Sequence, residues 1–335
     1  MTDYILIIPF IVSFLTVLVF VPRWIKRAKE EGLVGRDIQK YNKVMVAEGG
    51  GIAVVAAFVL GVMSYIALKT FYFQSTENVL EILALASSIL IVAVVGLIDT
   101  VLGWKKGLSR KFRLFMVLFA AVPLMVINAG RHEMAIPFFG TFDFGLLYPL
   151  LLIPLGIVAT TTTFNFLAGF NGLEAGQGVL ILSALSLVAY LSGSSWLALI
   201  LLIMVVALLA FLFFNFYPAR VFPGDALTYA LGGLIAISAI LGNFEKIAIF
   251  FFIPYILEVI LKCRGKLVKQ SFGKINKDGS LDLLYPKVYG TTHLAILALK
   301  KLGIKPTEKR VVYLIWAFQL IIILLGLIIF REGLF

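Results

Sequence analysis

The sequence predicts an all-α polytopic membrane protein of about ten transmembrane helices, and three observations carry that prediction. Hydrophobic residues make up 61% of the 335-residue chain, against roughly 45–50% in an ordinary soluble domain. Charged residues fall to 14%. The apolar residues also gather into runs of about 20, the length at which a helix crosses a bilayer while satisfying its own backbone polar groups.

Ten such runs follow in order, near residues 4–22, 50–68, 79–98, 112–130, 144–163, 176–193, 195–215, 226–241, 244–262 and 311–330. The first follows Asp3 with no positive segment ahead of it and is followed by RWIKRAK. That is the flank pattern of a retained first helix with its N-terminus outside, not of a cleaved signal peptide. Only GSS separates the sixth run from the seventh. Residues 1–335 therefore read as a single integral membrane domain, with 263–310 as a long polar loop within it. In that loop KDG, set in INKDGSLDLLY, predicts a small β-hairpin. The stretch THLAILALKKLGI predicts an amphipathic helix on the membrane surface. The lone cysteine, Cys263, excludes an intrachain disulfide framework and a cysteine-based metal site.

The net charge of +11 is not spread evenly. All of the 29 basic residues except Lys69, Arg131, Lys246 and Arg331 fall in the first, third, seventh and ninth loops. By the positive-inside bias these loops are cytoplasmic and both termini lie outside. The membrane is the plasma membrane if the chain is archaeal and the endoplasmic reticulum if it is eukaryotic. Nucleic acid is excluded as a partner, because the basic residues sit against the membrane without a recognisable binding module. Membrane lipid headgroups or a phosphate-bearing substrate fit better.

Four polar clusters share that cytoplasmic face: GRDIQKYNKVMVAEGGG (35–51), GLIDTVLGWKKGLSRK (96–111), NFLAGFNGLEAGQG (165–178) and VFPGDALTYALGG (221–233). Asp99 and Asp225 sit at the membrane boundary, where an unpaired carboxylate is costly. A divalent cation relieves that cost. Mg²⁺ takes oxygen ligands, typically one or two carboxylates with substrate phosphates and waters, and the Asn165 carbonyl is a further acceptable oxygen. Glycines let backbone N–H groups approach an anion, and a basic residue such as Lys111 can hold a phosphate. Each cluster alone has an ordinary structural reading: Asp225 as a helix N-cap, Asn171–Gly172 as a turn. Their occurrence together on one face points to a metal–phosphate site.

These blocks resemble the polyprenyl-phosphate N-acetylhexosamine-1-phosphate transferases. Within that superfamily the chain is most similar to the dolichyl-phosphate GlcNAc-1-phosphate transferases of eukaryotes and archaea, in register from about residue 35 to 310. The resemblance implies transfer of GlcNAc-1-phosphate from UDP-GlcNAc to dolichyl or another polyprenyl phosphate, releasing UMP. This is the first step of lipid-linked oligosaccharide synthesis for N-glycosylation. It implies Mg²⁺ as cofactor, with Mn²⁺ as an alternative ion, and leaves a homodimer open. Residue by residue, it makes Asn165 and Asp225 the metal ligands and places Asp99 in the catalytic centre. Lys111 becomes the basic residue near the pyrophosphate, in a loop that reads two residues longer here. Phe222 stacks on uracil, and Asn171, followed by Gly172, reads the base edge. Arg36, Ile38 and Glu48 line the nucleoside pocket.

Two departures stand out. The family usually carries paired aspartates after the third span, whereas this chain reads Asp99–Thr100. The Arg/His-rich stretch of the ninth loop is replaced by CRGKLVKQSFGK, in which Arg264, Lys266 and Lys269 are the stand-ins, and His293 alone does not replace a His-rich motif. Two rival readings remain. One is a sister enzyme using another UDP-N-acetylhexosamine. The other is a transporter, for which Glu81 and Glu258 are the charges within the spans.

Overall fold

The computed structural model describes residues 4–42, 44–102, 107–136 and 140–333. Asp3, Lys43, Lys105 and Lys106, which enter the charge pattern above, lie outside the described residues, as does the side chain of Arg110. The described chain is built from helices α1 (Ile8–Glu30), α2 (Gly51–Ala67), α3 (Val79–Leu102), α4 (Arg110–Leu118), α5 (Val122–Val126), α6 (Ile153–Phe164), α7 (Leu173–Leu191), α8 (Ser195–Asn215), α9 (Gly224–Gly242), α10 (Glu245–Phe251), α11 (Ile253–Arg264), α12 (Thr291–Lys301) and α13 (Glu308–Ile329). Three short antiparallel hairpins join them: β1 (Val34–Arg36) with β2 (Met45–Ala47), β3 (Glu133–Ile136) with β4 (Gly140–Asp143), and β5 (Gly273–Ile275) with β6 (Leu281–Leu283).

All ten apolar runs are helical, but seven rather than ten described helices are long and apolar enough to cross a membrane. These are Tyr4–Glu30, Gly51–Tyr72, Val79–Leu102, Leu173–Leu191, Ser195–Asn215, Gly224–Gly242 and Glu308–Ile329. The other three runs are broken, and each break carries proline. Run 112–130 divides into α4, a 3₁₀ turn and α5, with Pro123 opening α5. Run 144–163 begins as a π turn, Tyr148–Leu152, before Pro154 opens α6. Run 244–262 divides at Phe252, and Pro254 opens α11. Proline has no N–H to donate and clashes with the preceding turn, so a helix restarts there more readily than it continues.

The hairpin predicted from KDG forms, with Ile275 opposite Leu281. The amphipathic helix is α12, and part of its apolar face packs on protein. Ala295, Ile296 and Leu299 are buried by the β5–β6 hairpin and α13. The hairpins β1–β2 and β3–β4 were not foreseen.

Helix α9 is the centre of the bundle, packed against α3 and α6, with α2 and α7 beside it. Nearly its whole length is buried, from Ala226 to Ile240. Around it α7 pairs with α8, and α1 with α2 and α8. At one end of this bundle hydrogen bonds tie the polar loops together. Phe222 N–H donates to Ala47 O, Asp225 N–H to Thr100 Oγ1, and Asn171 N–H to Glu308 Oε1. The loops after the first, third, fifth, seventh and ninth runs thus share one end.

Candidate active site

The site starts from the first turn of α9. Gly224 adopts φ +67°, a left-handed conformation in which a side chain is strained, and this turn delivers Asp225 into the helix. Opposite, α3 crosses so closely that a Cβ on Gly96 would lie 2.5 Å from the carbonyl of Asp225. Only the absent side chain allows this approach. One turn on from Gly96, Asp99 therefore comes beside Asp225, and the two carboxyl groups line one chamber and share Arg113. Arg113, from α4, places Nη1 2.5 Å from Asp99 Oδ2 and 3.9 Å from Asp225 Oδ2. The Leu108 N–H donates to Asp99 Oδ1 at 2.6 Å. Asn165, which ends α6, borders the same two chambers as Asp225, and its Oδ1 accepts from Thr228 Oγ1 at 3.0 Å.

Thr100 has a role of its own. Its hydroxyl donates to Gly96 O at 2.9 Å and accepts the Asp225 N–H at 3.0 Å. It caps the start of α9 in the manner of an N-cap hydroxyl. A threonine at this position holds the two helices in register and brings no second carboxylate.

Two chambers meet at Asn165 and Asp225. The first, of about 870 Å³, is lined by Arg36, Ile38, Glu48, Asn171, Phe222 and Lys274, among others. The second, of about 650 Å³, is lined by Asp99, Arg113, Lys262, Lys269 and Phe272, among others. Glu48, Thr100, Phe222 and Phe272 border both. Burial raises the pKa of the Glu48 carboxyl from its ordinary value.

The block 165–178 wraps the first chamber. Gly169 and Gly172 both have positive φ, and Gly172 N-caps α7. Glu174 turns back to accept the Gly169 N–H at 2.8 Å. Asn171 is buried: Nδ2 donates to Asp37 Oδ2 at 3.1 Å, and its backbone N–H to Glu308 Oε1 at 2.8 Å. Lys40 pairs with Glu308, approaches Asp37 at 3.4 Å, and stands over the Tyr217 ring. One amide N–H of Asn171 is thus committed to the protein, leaving its carbonyl and second N–H for a ligand.

Among the described residues no three of His, Cys, Asp and Glu cluster as a metal site. The donor set at the junction is two carboxylates and an amide oxygen. That is a hard, all-oxygen set of the kind Mg²⁺ takes when phosphates and waters complete the shell. Two adjoining carboxylates facing one guanidinium are also short of positive charge. The residues fit the ion.

Comparison with known proteins gives the family. Residues 82–243 match the model of glycosyl transferase family 4. A Saccharolobus solfataricus protein, provisionally named a UDP-N-acetylglucosamine–dolichyl-phosphate N-acetylglucosaminephosphotransferase, is 33% identical over 326 residues, covering 97% of this chain and 96% of that protein. The chain belongs to this family. A Dictyostelium discoideum protein carrying that enzyme name is 30% identical over 284 residues, 73% of this chain and 67% of its own. The enzyme of that name from Saccharomyces cerevisiae is 27% identical over 331 residues, 82% of this chain and 71% of its own.

The family's matched stretch contains Asp99, Asn165 and Asp225, which the fold brings together as the sequence implied. Arg36, Ile38, Glu48, Asn171 and Phe222 all line the first chamber. Gly172 does not line it; it turns the chain into α7 beside Phe216. Lys111 needs correction. It is exposed on α4, and Arg113, two residues later, meets the carboxylates. The two-residue excess in that loop was the signal for this shift. Arg264 and Lys266 are also exposed and line neither chamber, although Lys262 before them and Leu267 after them line the second. Lys269 does line the second chamber, its ammonium over the Tyr285 ring. His293 is buried, with Nδ1 accepting from Tyr289 N–H and Nε2 facing Phe272 O at 3.0 Å. Burial lowers its pKa, and it braces the wall instead of reaching the chambers. Sequence reasoning missed Arg113, Lys262, Phe272 and the Asp37–Lys40–Glu308 cluster.

Proposed function

We propose that this protein transfers GlcNAc-1-phosphate from UDP-GlcNAc to dolichyl or another polyprenyl phosphate, yielding lipid-diphosphate-GlcNAc and UMP. The observation that carries this reading is the meeting of Asp99, Asp225, Asn165 and Arg113 at the junction of two chambers, as a two-substrate phosphoryl transfer requires. The names of the relatives support the choice of substrates.

The nucleotide fits the first chamber, with uracil on Phe222, Asn171 at the base edge, and Arg36 at the rim. The acceptor phosphate fits the second. Its path from the membrane is a third, almost wholly apolar cavity of about 490 Å³ between α6, α9, α10 and α11, lined by residues such as Ala159, Ile235, Ile249 and Ile256. That cavity reaches Thr163, two residues before Asn165.

One oxygen of the lipid phosphate attacks the β-phosphorus of UDP-GlcNAc. The bond from that phosphorus to the bridging oxygen breaks, and UMP leaves with the electron pair. A phosphate monoester with a second pKa near 6 is largely dianionic at pH 7, so no base need deprotonate it. Thr100 in place of a second aspartate fits that chemistry. Asn165, Asp225 and Asp99 would hold Mg²⁺, or Mn²⁺ in its place, which supplies neutralising charge to the pyrophosphate and to the leaving group. Arg113 orients Asp99 and keeps a positive charge beside the reacting phosphates. Positioning and electrostatics carry the rate, as they do in phosphoryl transfer generally.

In a membrane, the three proline-broken runs complete a ten-span topology, with the site on the cytoplasmic face and both termini outside. The test is UMP release by purified protein in detergent, across a panel of nucleotide sugars, with and without polyprenyl phosphate. UDP-GlcNAc is expected to react only when acceptor is present. Preference for another UDP-N-acetylhexosamine would move the assignment to a sister enzyme, and no release with any sugar would favour transport.

A further inference from the structure

Part of the lining of the second chamber comes from the end of α11 and the residues after it. It presents two cations, Lys262 and Lys269, and the Lys269 ammonium stands over the Tyr285 ring. One helical turn before Lys262, Glu258 is completely buried. Its Oε1 accepts from Ser271 Oγ at 2.9 Å, and its Oε2 from the N–H of Thr291 at 2.6 Å and the Thr291 hydroxyl at 2.8 Å. A buried carboxylate is tolerable only when it is hydrogen-bonded and paired. Here the hydrogen bonds come from both ends of the polar loop, so Glu258 pins residues 271 and 291 to α11. Phe272, next to Ser271, is the side chain that borders both chambers.

Lys262 completes the arrangement without being used up by it. Its ammonium lies 3.8 Å from Glu258 Oε1 and 3.4 Å from Lys269 O, both long for an ammonium with three donors. No ion pair within 4 Å joins it to Asp99 or Asp225 among the described residues. The two carboxylates, Arg113 and Lys262 all line that chamber. An anion held in it has both Arg113 and Lys262 among its walls. The same wall carries Leu267 and the strongly exposed Val268, apolar groups suited to the first carbons of a lipid.

We propose that Lys262 binds the phosphate monoester of the acceptor lipid, and that Glu258 is the positioning residue that aims it. The inference rests on the two-substrate reading above and assigns one substrate's headgroup to one side chain. It replaces Arg264 and Lys266, which line neither chamber, with a residue that lines the second.

The test compares Lys262→Met, Lys262→Arg and Glu258→Gln in the full chain in detergent. Binding of geranyl phosphate and of UDP-GlcNAc is measured separately by calorimetry, alongside the two KM values and the melting temperature. Losing one charge-assisted contact to phosphate is expected to weaken geranyl phosphate about 10- to 100-fold in Lys262→Met. UDP-GlcNAc affinity should stay near wild type, and Lys262→Arg should recover most of the loss. Glu258→Gln should raise the acceptor KM more than the nucleotide KM. Equal weakening of both ligands, or unchanged geranyl phosphate binding in Lys262→Met, overturns the proposal, the first outcome making the lysine only a counter-charge for Glu258. Because geranyl phosphate binding is read without turnover, it decides the role of Lys262 even if UDP-GlcNAc proves to be the wrong donor. That error would appear only in wild-type turnover.

Discussion

Asp225 and Asn165 lie 60 residues apart in sequence but border the same two chambers, and what they do follows from that meeting. Asp225→Asn keeps size and hydrogen bonding but removes the charge that a cation would need. It is expected to lower kcat by several orders of magnitude. Asn165→Ala should also fall steeply, whereas Asn165→Asp should change which divalent ion supports turnover. Residues acting on one group are not additive, so Asn165→Ala combined with Asp225→Asn should be little slower than Asp225→Asn alone. Steady-state rates across Mg²⁺ and Mn²⁺ titrations check this; a double variant slowed by the product of the single effects would separate the two roles. These residues were legible in the sequence because polar groups at the ends of apolar runs need a reason to be there. Arg113 was not, because a helix on an irregular loop can present either of two cations and spacing alone does not choose. Lys262 was hidden for a related reason: its partner Glu258 reads in sequence as a lone charge within a span, and only the folded loop shows Ser271 and Thr291 closing around it.

At the scale of elements, the length of the apolar runs located every helix of the bundle but not its breaks. Hydropathy averages over a window, so Pro123, Pro154 and Pro254 leave the signal intact while interrupting the helix. The α3–α9 crossing was equally invisible, although it decides whether Asp99 reaches Asp225. Gly96 and Gly233 both lie at this packing surface, and they make opposite predictions. A Cβ at Gly96 would press into the α9 backbone at 2.5 Å, and backbone cannot rotate away. A Cβ at Gly233 would meet Val92 and Ile89 side chains at 3.4 and 3.6 Å, ordinary contact distances. Gly96→Ala is therefore expected to cost about 1–3 kcal/mol through overpacking, and to lower kcat further by parting the two carboxylates. Gly233→Ala should be near wild type in both. Melting temperature and kcat measured on the pair decide it, and equal behaviour of the two variants would remove the close crossing from the account.

Across the whole molecule, the first loop, the 165–178 block and the last helix are locked together at the nucleotide chamber by one buried ionic cluster. Glu308 opens α13, where the helix dipole favours an acid. It accepts the Asn171 N–H on one oxygen and pairs with Lys40 through the other. Lys40 in turn neighbours Asp37, which holds the Asn171 amide. The Asp37 and Glu308 side chains are only 4% and 3% exposed, and that of Lys40 16%. Solvent therefore screens the cluster little, and removing one partner strands the others. Glu308→Gln keeps an acceptor for Asn171 but leaves Lys40 facing Asp37 alone, whereas Lys40→Met leaves two carboxylates together without their cation. Breaking a buried pair in this way typically costs about 3–5 kcal/mol, while replacing the whole pair costs much less. Each single variant is thus expected to melt well below wild type, and the double variant Lys40→Met/Glu308→Gln to melt higher than the sum of the two losses predicts. Because the cluster fixes Asn171, the singles should also raise the KM for the nucleotide sugar with little change in that for the lipid. Strict additivity in melting, with both KM values unmoved, would reduce the cluster to three independent surface-like charges and detach the last helix from the nucleotide chamber.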